Sequence, residues 1–121
     1  MNSKELQSRL KNFALRLVPL CQALPKKKIS LIIENQLLRS GFSSAANYRS
    51  ACNSQSKKAF NAKLSIALEE IDESAFWLEM IDELELIKHD KLSLILNEAI
   101  ELTKILGASR RTALRKLKID N

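Results

Sequence analysis

Apolar residues recur along this chain in steps of three and four, and three breaks divide the pattern into four stretches. In the first, Leu6, Leu10, Phe13, Leu17, Leu20 and Leu24 form one stripe, with Lys4, Arg9, Lys11 and Arg16 off it. This predicts an amphipathic helix. Pro19 sits inside the pattern, where it removes a hydrogen bond and clashes with the preceding turn, so a kink near Val18 or an early end is expected. Leu24-Pro25-Lys26 is the first clear break. Pro25 suits the first turn of a second helix, which starts between Lys26 and Ile29 and carries Ile29, Ile32, Ile33, Leu37 and Leu38 as a wide apolar face. Gly41 interrupts it at a cost of about 1 kcal/mol against Ala. Ala45, Tyr48 and Cys52 keep the spacing, so the helix is expected to continue, bent, to about Ala51.

Asn53-Ser54-Gln55-Ser56 forms the next connection, with Ser54 or Ser56 as the cap of a third helix. There Phe60, Leu64, Ala67, Ile71, Ser74, Leu78 and Ile81 make one heptad stripe. Ile66, Trp77, Met80, Leu84 and Ile87 are also apolar but lie off it, which is more apolar surface than one bundle interface needs and points to a subunit interface. Ile87-Lys88-His89-Asp90 is the third break, with Asp90 as a plausible cap. The fourth helix carries Leu92, Ile95, Leu96, Ala99, Leu102, Leu106, Ser109 and Ala113. Four amphipathic helices with short connections predict an all-α fold, an antiparallel up-down-up-down four-helix bundle. Residues 1–121 are read as a single domain whose basic tail, about 110–121, is expected to fray.

Composition narrows this picture little. With two Pro and two Gly in 121 residues and 45% hydrophobic content, a disordered or turn-rich all-β chain is disfavoured. Apolar runs are too short and too charged to span a membrane, and no leader pattern is visible, so a cytoplasmic protein is expected. Cys21 and Cys52 are read as small hydrophobes of helical runs, with a disulfide left open. Charge changes the picture more. Residues 1–68 carry 12 Lys and Arg against two carboxylates, residues 69–101 carry two against eleven, and residues 102–121 carry six against one. Either a basic face meets an anionic partner, or the acidic helix pairs with basic neighbours within or between subunits.

Signals for catalysis are weak. The one histidine, His89, lies at an expected turn with no Arg close before it. Glu69 with Glu73, and Glu79 with Glu83, share helix faces, but no Glu-x-x-His is present to complete a di-metal site. No catalytic residue, metal site or cofactor is therefore assigned. The basic clusters remain as candidate phosphate contacts: Lys26, Lys27 and Lys28; Arg39 and Arg49; Lys57, Lys58 and Lys63; Arg110, Arg111, Arg115 and Lys116. Aromatic residues are few, so recognition of backbone and shape is expected over reading of bases.

The stretch from Leu24 to Glu83, through "ENQLLRSGFSSAANYRSA" and "SKKAFNAKLSIALEEIDESAFWLEMIDE", resembles the four-helix-bundle family encoded in 23S rRNA intervening sequences. The matching residues are Asn35-Gln36-Leu37, Arg39-Ser40-Gly41, Ala46-Asn47-Tyr48-Arg49, Ser56-Lys57, Phe60, Lys63-Leu64 and Trp77-Leu78-Glu79. The resemblance implies a bacterial protein forming a ring, typically a homopentamer. It extends to the accessory variability determinant of diversity-generating retroelements, a basic pentamer that binds nucleic acid and a reverse transcriptase. Phe42, Ala45 and Pro19 depart from the family pattern. On this reading Gly41 and Ser43 to Ala46 allow close helix packing, Asn47 satisfies its amide across helices, and Trp77 is structural. The expected function is a non-enzymatic homo-oligomer that binds RNA or DNA backbone, as accessory to a reverse transcriptase or an rRNA element. The alternative is a protein-interaction scaffold without nucleic acid.

Overall fold

The computed structural model describes residues 1–120, which form α1 (Ser3–Gln22), α2 (Lys28–Cys52), α3 (Lys57–Glu83) and α4 (His89–Asp120). Local chemistry sets most of these limits. Asn2 caps α1: its Oδ1 accepts from the Glu5 amide at 2.9 Å, while its Nδ2 donates to Glu5 Oε1 at 3.1 Å. Of the two candidate serines, Ser56 caps α3 by accepting from the Ala59 amide at 3.0 Å. Ser54 instead donates to the Ser50 carbonyl. Pro19 does not end α1, which continues to Gln22. Both Pro19 and Leu15 are exposed, so the hydrogen bond that Pro19 forfeits falls on the solvent side of the helix, where its loss costs least.

α3 stops earlier than the apolar pattern suggests. Glu85 takes a left-handed conformation, φ 56°, the Leu86 amide donates to the Ile81 carbonyl and the Glu85 amide to that of Asp82. This is a Schellman closure. It ends the helix at Glu83 and places Leu84 to Ile87 in the turn. α4 then begins at His89, so Asp90 lies in its first turn and is not its cap. His89 Nδ1 and Asp82 Oδ1, 2.9 Å apart, tie the start of α4 to the end of α3.

Contacts run sequentially: α2 against α3 most extensively, then α3 against α4 and α1 against α2, with α1 against α4 the thinnest. This is the up-down-up-down bundle that the apolar pattern predicts. Its core takes Leu6, Leu10, Phe13 and Leu17 from α1, Ile33 and Leu37 from α2, Leu64, Ile71, Leu78 and Ile81 from α3, and Leu92, Leu102 and Leu106 from α4. Ile29 and Ile32 do not join it and are exposed, together with Leu31. The surplus apolar residues of the third stretch divide. Trp77, Met80 and Ile87 pack half-buried against the core, whereas Ile66, Phe76 and Leu84 stay exposed. Both cysteines are free thiols, and burial pushes Cys21 up to about 12.

The buried part of the small-residue stretch of α2 serves close packing within the subunit, whereas Ala45 and the exposed Ala46 border a groove. A Cβ on Gly41 would overlap Leu17 Cδ1 of α1. On the adjoining face Ser40 Oγ lies 2.8 Å from Ser74 Oγ of α3, both fully buried. Ser44 Oγ returns to the Gly41 carbonyl at 2.7 Å. Asn47 corrects the expectation of a cross-helix bond. Its Nδ2 donates to the carbonyl and the hydroxyl of Ser43, both at 2.9 Å and both within α2. At a spacing of four, an amide finds its partners on its own helix before a neighbour can supply them.

Arg9 carries much of the polar contact between α1 and α4. It donates to Glu98 through Nε at 2.8 Å and Nη2 at 2.7 Å, and its Nη2 lies 3.0 Å from Glu101 Oε1. Hydrogen bonds from Arg9 outweigh burial and hold the Glu98 carboxyl below its ordinary range. Because the folded-state pKa is depressed, the stabilisation is present above the unfolded carboxylate value of about 4.3 and is lost as pH falls through the folded value. Glu98→Gln is expected to cost about 1 kcal/mol at pH 7 and to flatten stability against pH below about 4.5. Urea denaturation of both proteins at pH 7 and pH 3 tests this; an equal gap at both pH values would refute it.

Candidate nucleic-acid interface

α2 ends, α3 begins and α4 finishes at the same end of the bundle. The antiparallel path therefore brings together two stretches that hold no carboxylate, residues 35–68 and 102–119. Arg49, Lys57, Lys58, Lys63, Arg110, Arg111, Arg115 and Lys116 all lie toward this end. Arg110 is fixed there by its Nε, which donates to Ser65 Oγ of α3 at 2.9 Å. The other seven are exposed. Lys104 and Lys118 of α4 belong to the same region; Lys104 escapes a reading based on clusters because it stands apart in sequence, whereas Lys118 follows Lys116 by two residues.

Arg39 has a different role. Its Nη1 and Nη2 meet Glu70 Oε2 and Glu73 Oε2 of α3, both at 2.6 Å, and its Nε donates to Gln36 Oε1 at 3.3 Å. Glu73 also accepts from Trp77 Nε1 at 3.0 Å. Burial opposes ionisation of Glu73, but hydrogen bonds from the Trp77 indole and the Arg39 guanidinium outweigh it and hold the carboxyl below its ordinary range. The Arg39 charge is thus matched by two carboxylates and leaves the set of phosphate contacts. Lys26, Lys27 and Lys28 also separate from the rest. They sit at the α1–α2 connection, at the end shared with Asp82, Glu83, Glu85 and Asp90.

Arg39 and Arg49 occupy opposite flanks of α2. Arg39 meets α3, whereas Arg49 lines a groove of about 520 Å³ toward α1, together with Lys4, Lys11, Leu15, Phe42 and Ala45. Phe42 is 46% exposed in that groove. Lys4 and Lys11 extend the basic surface along α1. Their signal was their spacing of seven residues, two turns on one helix face. A larger cleft, about 810 Å³, opens between the start of α3 and the last part of α4, where Lys57 and Lys116 border Phe60, Ile105, Ala108 and Ala113.

Among the described residues no three His, Cys, Asp or Glu side chains group as a metal set would, and no helix is long and apolar enough to cross a membrane.

A crystal structure of a protein with unknown function from the S23 ribosomal protein family of Bacteroides thetaiotaomicron is similar to this chain. The TM-score is 0.82 and the identity 33%, covering 92% of this chain and 99% of the other. No curated protein matches. The family model for the 23S rRNA-intervening sequence protein matches residues 4–108, which take in nearly all of α1, the whole of α2 and α3, and α4 as far as Ala108. Arg110, Arg111, Arg115 and Lys116 lie beyond that match. With most of the chain matched and the fold shared, the chain belongs to the 23S rRNA-intervening sequence protein family.

Proposed function

We propose that this protein binds the phosphate backbone of nucleic acid through the basic end of its bundle, where α2 ends, α3 begins and α4 finishes, as a homo-oligomer without chemistry of its own, in the service of an rRNA element or a reverse transcriptase. The observation that carries the reading is the placement of charge. Arg49, Lys58, Lys63 and the basic residues of 102–119 share one end of the bundle, and the two stretches that carry them, 35–68 and 102–119, hold no Asp or Glu. Such an end attracts a polyanion over its whole surface and gives an affinity governed by counterion release. The family's name, with its 23S rRNA intervening sequence, makes RNA the first polymer to try.

Self-assembly is proposed through apolar residues away from the basic end. Ile29, Leu31 and Ile32, at the start of α2, are exposed together at the opposite end. A ring built on that patch, a homopentamer by the family resemblance, would present several basic ends to one polymer and add affinity by multivalency.

The test is size-exclusion chromatography with light scattering and absorbance at 260 and 280 nm, followed by RNA titrations over a range of salt. An oligomer whose affinity falls steeply and linearly with log salt is expected. Binding that is absent at low salt, or unchanged by salt, would overturn the reading.

A further inference from the structure

The two outer helices differ in length: α1 has 20 residues and α4 has 32. Their register is set by Arg9 against Glu98 and Glu101. In antiparallel packing each step toward Asn2 on α1 matches one step toward Asp120 on α4, so the capped start of α1 at Ser3 comes level with roughly the Ile105 turn of α4. Beyond that level α4 has no α1 beside it, and the cleft lining on α4 starts at Ile105.

The apolar stripe of α4 does not stop there. Leu102 and Leu106 are fully buried, and the same alternation of four and three continues through Ser109 and Ala113 into the cleft. Phe60 extends the buried stripe of Leu64 and Ala67 on α3 in the same way, and it is only half-buried. The floor is thus a bundle core that continues past the start of α1. Its small residues, Ala108, Ser109 and Ala113, let another helix approach α4 closely. The lining of α4 spans residues 105–116, about three turns. Lys116 stands at the border, and the surrounding stretches 35–68 and 102–119 contain no carboxylate.

We propose that this vacant corner receives an acidic amphipathic helix, about three turns long, from a partner protein. Its apolar face replaces the missing length of α1, and its carboxylates meet the basic border. A nucleic acid matches the border but offers phosphates to an apolar floor that cannot bond them. The inference goes beyond the proposed binding of nucleic acid and does not depend on it.

The probe is a fluorescein-labelled peptide of Leu and Glu with leucines at i, i+3, i+4 and i+7, followed by fluorescence anisotropy on the full chain. Its controls are a scrambled peptide of the same composition and a version with Lys in place of Glu. The amphipathic acidic peptide is expected to bind at least tenfold more tightly than either. Ala108→Lys with Ala113→Lys blocks the floor while making the end more basic. That variant is expected to lose at least tenfold for the peptide and to keep its affinity for RNA, with circular dichroism confirming the fold. Equal binding of the scrambled peptide would overturn the proposal, since charge alone would suffice. So would a peptide that fails to bind while the same variant lowers the oligomer's mass, because the occupant would then be a second copy. Loss of RNA binding in the wild type, with the peptide still bound, would sink the nucleic-acid reading and leave this one standing.

Discussion

Changing Arg110, Arg111, Arg115 and Lys116 together to Glu is expected to weaken RNA binding by about a thousandfold near physiological salt, on the basis of four contacts at about 1 kcal/mol each. The slope of log affinity against log salt should become shallower by about 3, at roughly 0.7 per lost phosphate contact on a single strand. These residues follow the end of the matched family region and stand on α4, the longest of the four helices. The informative comparison is Lys26, Lys27 and Lys28 to Glu. That change also removes positive charge, but at the end of the bundle shared with Asp82, Glu83, Glu85 and Asp90. If the basic end is the site, the Lys triplet variant loses less than about fivefold, the screened long-range share of the attraction. Filter binding or anisotropy across salt concentrations measures both. Equal losses would mean that net charge, not a placed surface, drives binding.

Gly41→Ala is expected to destabilise the protein by about 1 kcal/mol in the wild type and to stabilise it by about the same amount in a Leu17→Ala background. In the wild type the new methyl meets Leu17 Cδ1, and Leu17 is fully buried, so it can yield only by disturbing Phe13 and its other neighbours. Overpacking of that kind costs about 1–3 kcal/mol, against a gain of about 1 kcal/mol from replacing Gly in a helix. Leu17→Ala alone removes core volume and should cost about 3 kcal/mol. It also clears the space that the new methyl needs, leaving only the propensity gain. The double-mutant cycle should therefore show a coupling of about 2 kcal/mol by urea denaturation. The same sign in both backgrounds would show that Leu17 is not what the glycine accommodates.

The four helices were legible because burial has to follow the 3.6-residue period. Leu6, Leu10, Phe13 and Leu17 could face only one way, and so could Leu64, Ile71 and Leu78. The end of α3 was not legible. Ile87 keeps the apolar spacing, and nothing local marks Glu85 as the residue that turns left-handed. The buried half of the small-residue stretch was readable as a packing device, but its partners were not: Gly41 serves α1 while Ser40 serves α3. The candidate interface was legible only as a list of charges. Which of them share an end depends on the antiparallel path, which sets Lys26 to Lys28 apart. Arg39 left the set because a carboxylate 31 residues away and another 34 residues away reach it, a fact of register between α2 and α3. Asn47 was assigned a partner across helices when Ser43, four residues back, was the nearer one.

The thin seam between α1 and α4 also orders events in time. Every other helix contact joins neighbours in sequence through a short connection, so those contacts form with little loop entropy to overcome. Arg9 and Glu98 are 89 residues apart, and their meeting closes the molecule. A nucleus of α2 with α3, extended by α4, can assemble before that closure. The clamp is then absent from the folding transition state, and weakening it accelerates unfolding while leaving the folding rate nearly unchanged. α1 is then expected to be the element whose departure begins unfolding, with the fully buried Leu10, Phe13 and Leu17 the first core side chains to meet water; amide hydrogen exchange that is faster in α1 than in α3 would bear this out.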